Sequence, residues 1–193
     1  EKLRVKDEIH IEMVCLGNIC RSPMAAAVLH NKVAKLNTPK VIVTSSGTSN
    51  YHVGEGAHKS SIKTWEGAGY NYEHSAKQFS TKSFATQDLI LCMDLSNPAL
   101  VLTAAKSDAD KAKVLMLRQF DPELKDIDPT SKQAQDLVVP DPWGSGGACA
   151  VCGEHHASEA AVRLLSDADD GGAIGFPSEP RGGWVHGGWG HGE

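Results

Sequence analysis

Cys15 and Arg21 stand six residues apart in Val14-Cys15-Leu16-Gly17-Asn18-Ile19-Cys20-Arg21-Ser22-Pro23. A thiol and a guanidinium at that spacing can attack and clamp one anionic group, provided a tight loop turns both toward the same point. The apolar run Ile9–Val14 before them reads as a buried strand. The run from Met24 to Leu36 after them reads as a helix, with Ser22 as its side-chain cap and Pro23 in its first position. Strand, tight loop and helix start aim backbone N–H groups at one place, which makes a pocket for phosphate. Such a loop stabilises negative charge on the Cys15 sulfur, and the Ser22 hydroxyl can donate to it. Sulfur attack on phosphorus gives a cysteinyl-phosphate, which water hydrolyses. Arg21 can hold two phosphoryl oxygens as charge develops. No metal or cofactor is called for if the loop supplies that charge stabilisation.

The departing oxygen needs a proton, so a carboxylic acid must reach the pocket. Asp141, in Val138-Val139-Pro140-Asp141-Pro142-Trp143, is the candidate: two flanking prolines limit how far the carboxylate wanders. The plainer alternatives are a small buried residue at a strand end for Cys15 and a turn aspartate beside proline for Asp141.

These residues need a frame. The chain of 193 residues has 40% hydrophobic and 22% charged residues, ordinary for one soluble domain. Further strands are expected at Val41–Val43, Asp88–Met93 and Lys113–Leu117. Helices are expected at Ser60–Gly67 and from about Ser96-Asn97-Pro98, with turns over Thr44–Asn50 and a long surface connection from Arg118 to Pro140. Strands alternating with helices predict a three-layer α/β fold, a mostly parallel four-stranded sheet flanked by helices. Ligands then sit beyond the carboxyl ends of the strands, where the loop between the first strand and first helix lies.

Residues 144–193 differ in character. They hold thirteen of the 19 glycines and seven acids against two bases, so the net charge of −5 belongs to them and residues 1–143 are balanced. We expect a domain core over 1–143 and a Gly-rich, partly disordered segment after it, with one short helix over Ala157–Leu165. Cys149, Cys152, His155 and His156 in that segment are residue types zinc accepts, but they are too tightly clustered for the usual wide second spacing. A clustered basic footprint for nucleic acid is missing, and no run reaches the roughly 18 apolar residues of a membrane span. An odd count of five cysteines, two of them in one loop, and no signal-peptide pattern point to a cytoplasmic protein with reactive thiols.

Val14–Pro23 resembles the signature loop of the low-molecular-weight protein tyrosine phosphatases, and Asp141-Pro142-Trp143 resembles their general-acid loop. The loop opens the domain and the acid closes it, in the family's order. The likeness continues through Ser45–Glu55, His74–Gln78 and Cys92-Met93-Asp94 and covers roughly residues 9–144. Within it, Tyr51-His52-Val53-Gly54 is similar to fungal members. The resemblance implies a protein tyrosine phosphatase, also acting on small aryl phosphates, with Cys15 as nucleophile, Arg21 as clamp and Asp141 as proton donor, then base. It implies that Leu16, Gly17, Asn18, Ile19, Cys20 and Ser22 surround the phosphate, that Ser45 and His74 support the loop, and that Tyr51 and Trp143 wall the cleft. It implies a redox role for Cys20, by a reversible disulfide with Cys15. Phosphotyrosine proteins are the expected partners, and the expected state is a monomer or weak dimer. Two departures stand out: Thr44 where many members have Asp, and a tail unlike the family's closing helix. Two other readings remain open, an arsenate reductase of the same fold and a non-catalytic phosphate-binding module. Against the first, no second relay cysteine follows Cys92 within a dozen residues. Against the second stands the joint presence of Cys15 and Asp141.

Overall fold

The computed structural model describes residues 6–35 and 40–142. Four strands, β1 (Glu8–Cys15), β2 (Lys40–Gly47), β3 (Leu89–Cys92) and β4 (Val114–Met116), form one sheet in the order β2-β1-β3-β4. All neighbours run parallel. The helices are α1 (Arg21–Val33), α2 (Lys59–Gly67), α3 (Ser83–Thr86), α4 (Ser96–Leu102) and α5 (Asp108–Lys111). A parallel sheet must be covered on both faces, and alternation along β1 does this. Ile9, Ile11 and Met13 enter a core with α1 and with Trp65 of α2, and Val14 enters a second core with Phe84, Ile90, Val101 and Met116. This is the expected three-layer α/β fold.

The chain leaves β1 toward β2 and later returns to β3 on the other side of β1. The connections therefore diverge at the carboxyl end of β1, opening a crevice where Cys15 ends the strand.

Three local expectations are corrected. The first helix starts earlier than Met24 and ends at Val33. Its cap residue is Cys20, with no side-chain cap bond, and Ser22 lies inside the first turn with its hydroxyl turned to the Cys15 sulfur. Strand β2 runs on through Thr44–Gly47, which reads as a turn in isolation. Register with β1, pairing Glu12 with Thr44 and Cys15 with Gly47, overrides the weak strand propensity of Ser and Gly. The 118–140 connection is also tied down. It contains 3-10 turns at Leu117–Phe120 and Lys132–Leu137, buries Ala134, Leu137 and Val139, and bonds Val139 N–H to Met93 O at 2.7 Å. Trp143 and the whole 144–193 segment, including Ala157–Leu165 and the Cys149, Cys152, His155 and His156 cluster, lie outside the described residues.

At the end of β2 the chain nearly touches the loop. A Cβ on Gly47 would lie 2.6 Å from Leu16 O and 3.0 Å from Asn18 N, both backbone atoms. Gly47→Ala is therefore expected to cost about 1–3 kcal/mol by forcing the two apart. A lowered urea midpoint with an unchanged m-value would register it.

Candidate active site

The loop from Leu16 to Cys20 is set by one residue. Asn18 has φ +55°, the only non-glycine with positive φ among the described residues, and it is completely buried. Asn tolerates this left-handed conformation better than most residues, and here its groups are held from several sides. Its Nδ2 donates to Ser22 Oγ and to Ser45 Oγ, both at 2.9 Å. Its Oδ1 accepts from Lys77 N–H at 2.9 Å, and its carbonyl accepts from His74 Nε2 at 2.7 Å. Its own N–H points at Cys15 Sγ, 3.2 Å away.

The sulfur's second partner is Ser22 Oγ at 3.0 Å. Ser22 already accepts from Asn18, so its single proton is available to the sulfur, its alternative being Ser46 O at 3.4 Å. A hydroxyl and a backbone N–H thus both face the sulfur. The first turn of α1 contains no acidic residue.

Arg21 is buried and holds two carboxylates. Nη1 donates to Asp94 Oδ2 at 2.6 Å and Nη2 to Asp141 Oδ2 at 2.7 Å. Burial pushes the Asp94 carboxyl up, but hydrogen bonds from Ser96 and the Arg21 charge outweigh it and hold the carboxyl below its ordinary value. Asp94 Oδ1 meanwhile accepts from Ser96 and Asn97 at the start of α4, which fixes the arginine's anchor. Cys15, Leu16, Gly17, Ile19, Cys20, Arg21, Tyr51, His52 and Asp141 line one cavity of about 280 Å³. Thiol, guanidinium and carboxyl thus meet in it from chain positions up to 126 residues apart, counted from Cys15 to Asp141. Asn18 and Ser22 stand behind its wall, fully buried, with Ser45 and His74 behind them.

Residues 10–150 match the family model described as low molecular weight phosphotyrosine protein phosphatase. The chain belongs to that family. A low molecular weight protein-tyrosine-phosphatase of Streptomyces coelicolor is 36% identical over 134 residues, 69% of this chain and 77% of that one. The low molecular weight phosphotyrosine protein phosphatase of Saccharomyces cerevisiae is 34% identical over 140 residues, 72% and 81% of the two chains. A crystal structure of a protein tyrosine phosphatase from Entamoeba histolytica, with Hepes in its active site, superposes with a TM-score of 0.71 at 27% identity, covering 84% of this chain and 98% of that one.

Within this phosphatase family fold, two residues at the site had no role assigned from sequence. Asp94 was visible only as part of Cys92-Met93-Asp94; the Asp-x-Ser-Asn pattern ahead of α4 signals a turn, not an arginine anchor. His52 lines the cavity and packs its Cδ2 edge over Gly17, while its Nδ1 bonds Glu55 Oε2 at 2.9 Å. Cys92 is a different kind of thiol. It is fully buried in β3, and burial, with Asp94 and Glu12 adding to it, pushes its pKa well up. That is the profile of an inert core residue rather than a redox relay.

His74 links site and stability. Burial lowers its pKa below the ordinary 6.5, and the Lys77 charge adds to this, against the Asn18 carbonyl bond. The unfolded chain therefore takes up this proton first, and the stability His74 contributes is complete above 6.5 and lost as pH falls through the lower folded value. The melting temperature should fall as pH drops from about 7.5 to about 5, and less steeply in His74→Asn, which keeps a donor without the titration. Equal slopes for the two proteins would remove His74 from the account.

Proposed function

We propose that the protein hydrolyses phosphotyrosine in proteins, and small aryl phosphates, through a cysteinyl-phosphate. The observation that carries this reading is the convergence of Cys15, Arg21 and Asp141 on one cavity. The phosphoryl group takes over the Arg21 fork and the loop N–H groups, which displaces Asp141 from Nη2 toward the ester oxygen. Freed from Arg21, Asp141 takes up a proton from solvent; Cys15 thiolate sulfur then attacks phosphorus as the P–O bond breaks, and Asp141 delivers that proton to the departing phenol oxygen. Asp141 then takes a proton from water as that water displaces the sulfur, releasing inorganic phosphate and restoring the thiolate held by Ser22 and Asn18. Arg21 and the uncapped first turn of α1 stabilise the added charge in both steps.

Preference for an aryl ester rests on the mouth of the cavity. Leu16 and Tyr51 line it and, like nearby Val53, are exposed apolar side chains. Tyr51 can stack on a substrate ring. The Ser60–Gly67 region and the tail take no part in this reading. We place the catalytic unit in residues 1–143, with 144–193 as a separate segment. Among the described residues no helix is long and apolar enough to cross a membrane. A cytoplasmic, reducing setting suits cysteines that form no disulfide among the described residues, Cys15, Cys20 and Cys92.

The parent protein should release phenol from an aryl phosphate in chelator-treated buffer. Cys15→Ser should release none, and Asp141→Ala should turn over about 10²–10⁴-fold more slowly. Parent-like rates in both variants would end this reading. Peroxide should inactivate the enzyme reversibly, with a dithiol restoring it through exchange of a Cys15–Cys20 disulfide. Cys20→Ser should recover poorly, because its Cys15 sulfenic acid has no adjacent thiol to condense with.

A further inference from the structure

One buried charge has no part in the chemistry above. Glu12 lies in β1, only 2% exposed, on the face that also carries Val14. Its Cα partners in the neighbouring strands are Thr44 and Ile90. Its Oε1 is 3.9 Å from Lys77 Nζ, while Oε2 and the neighbouring Thr44 hydroxyl have no hydrogen-bond partner among the described residues. A carboxylate in the middle of a sheet is costly unless a cation faces it, and Lys77 is the cation that does. The Cys92 thiol also lies within its electrostatic reach.

The backbone of Lys77 is the part that matters to the site. Its carbonyl accepts from Gly47 N–H at 2.8 Å, and its N–H donates to Asn18 Oδ1 at 2.9 Å. That second bond decides which way the Asn18 amide faces. With Oδ1 turned to Lys77, Nδ2 is turned to Ser22 and Ser45, and Ser22 is left to serve the sulfur. The segment carrying Lys77 is joined to the sheet by one isolated bridge, Gly47 to Gln78, by the Phe79 N–H to Gly47 O bond, and by Phe79 packing against the second core.

We propose that Glu12 and Lys77 form a positioning pair for the nucleophile. Attraction between their side chains seats residues 77–79 against β2, so that the Lys77 N–H orients Asn18 and, through Ser22, the Cys15 sulfur. The inference rests on the phosphatase reading for its kinetic arm alone, since alkylation of Cys15 reports on the sulfur without turnover.

Two readouts test it: kcat and KM on an aryl phosphate, and the rate at which iodoacetamide alkylates Cys15 at fixed pH. Lys77→Met is expected to lower both kcat and the alkylation rate on the order of tenfold, with KM within about twofold. Lys77→Arg should retain parent values. Glu12→Leu added to Lys77→Met should cause little further loss, because the attraction it would remove is already gone. If Lys77→Met does not fold, Glu12→Gln takes its place and should slow alkylation severalfold in a protein with parent-like circular dichroism. Parent-like alkylation in the single variant, or a double variant slowed well beyond it as for two independent residues, would overturn the pairing. An inactive parent whose Cys15 nevertheless alkylates with this dependence would leave the pairing standing and sink the phosphatase reading instead.

Discussion

The site depends on holding Asn18 in a left-handed backbone conformation. An isolated asparagine gains little there, and the loop would relax to other turns. Four partners from three parts of the chain make the relaxed alternatives worse: Ser22 in α1, Ser45 in β2, and His74 and Lys77 beyond α2. The sulfur is thereby given its two hydrogen bonds without any side chain being spent on the helix end. The start of α1 has no side-chain cap, a local defect that suits the anion site proposed above.

The sheet order turns this local device into a site. Only because β1 sits between β2 and β3 can the Gly47 corner brace the loop from one side and Asp94 anchor Arg21 from the other. The Val139 to Met93 backbone bond then hangs the acid segment from the end of β3. Arg118, donating to Asp136 O at 2.6 Å, ties that segment a second time.

Much of this was legible from residue types. Cys15, Arg21 and Asp141 announce themselves because few structural duties demand a thiol, a guanidinium and a proline-flanked acid in a strand–loop–helix setting. The strand and helix order was legible because each element has its own hydrophobic period. What escaped depends on distance or competition. Asp94 meets Arg21 across 73 residues, a contact that exists only once β3 lies beside β1. Ser22 looks like a cap to any local reading, but a sulfur 3.0 Å away competes for its proton. Thr44–Gly47 has turn chemistry and is nonetheless strand, because eight paired positions along β1 outweigh it. Glu12 was passed over within an apolar run whose neighbours do define a buried strand.

The double grip of Arg21 has a consequence for which solutes enter. The guanidinium is already neutralised by Asp94 and Asp141, so an arriving anion does not meet a bare cation. It must displace a carboxylate, as a counter-ion is displaced on an exchange resin. On the proposed reaction, a phosphate monoester dianion brings enough charge and two oxygens to fill the fork, where chloride brings one charge and no second oxygen. Selection by valence ahead of shape follows from that reading, and the carboxylate released in the exchange is then the group that takes up a proton to serve as the acid.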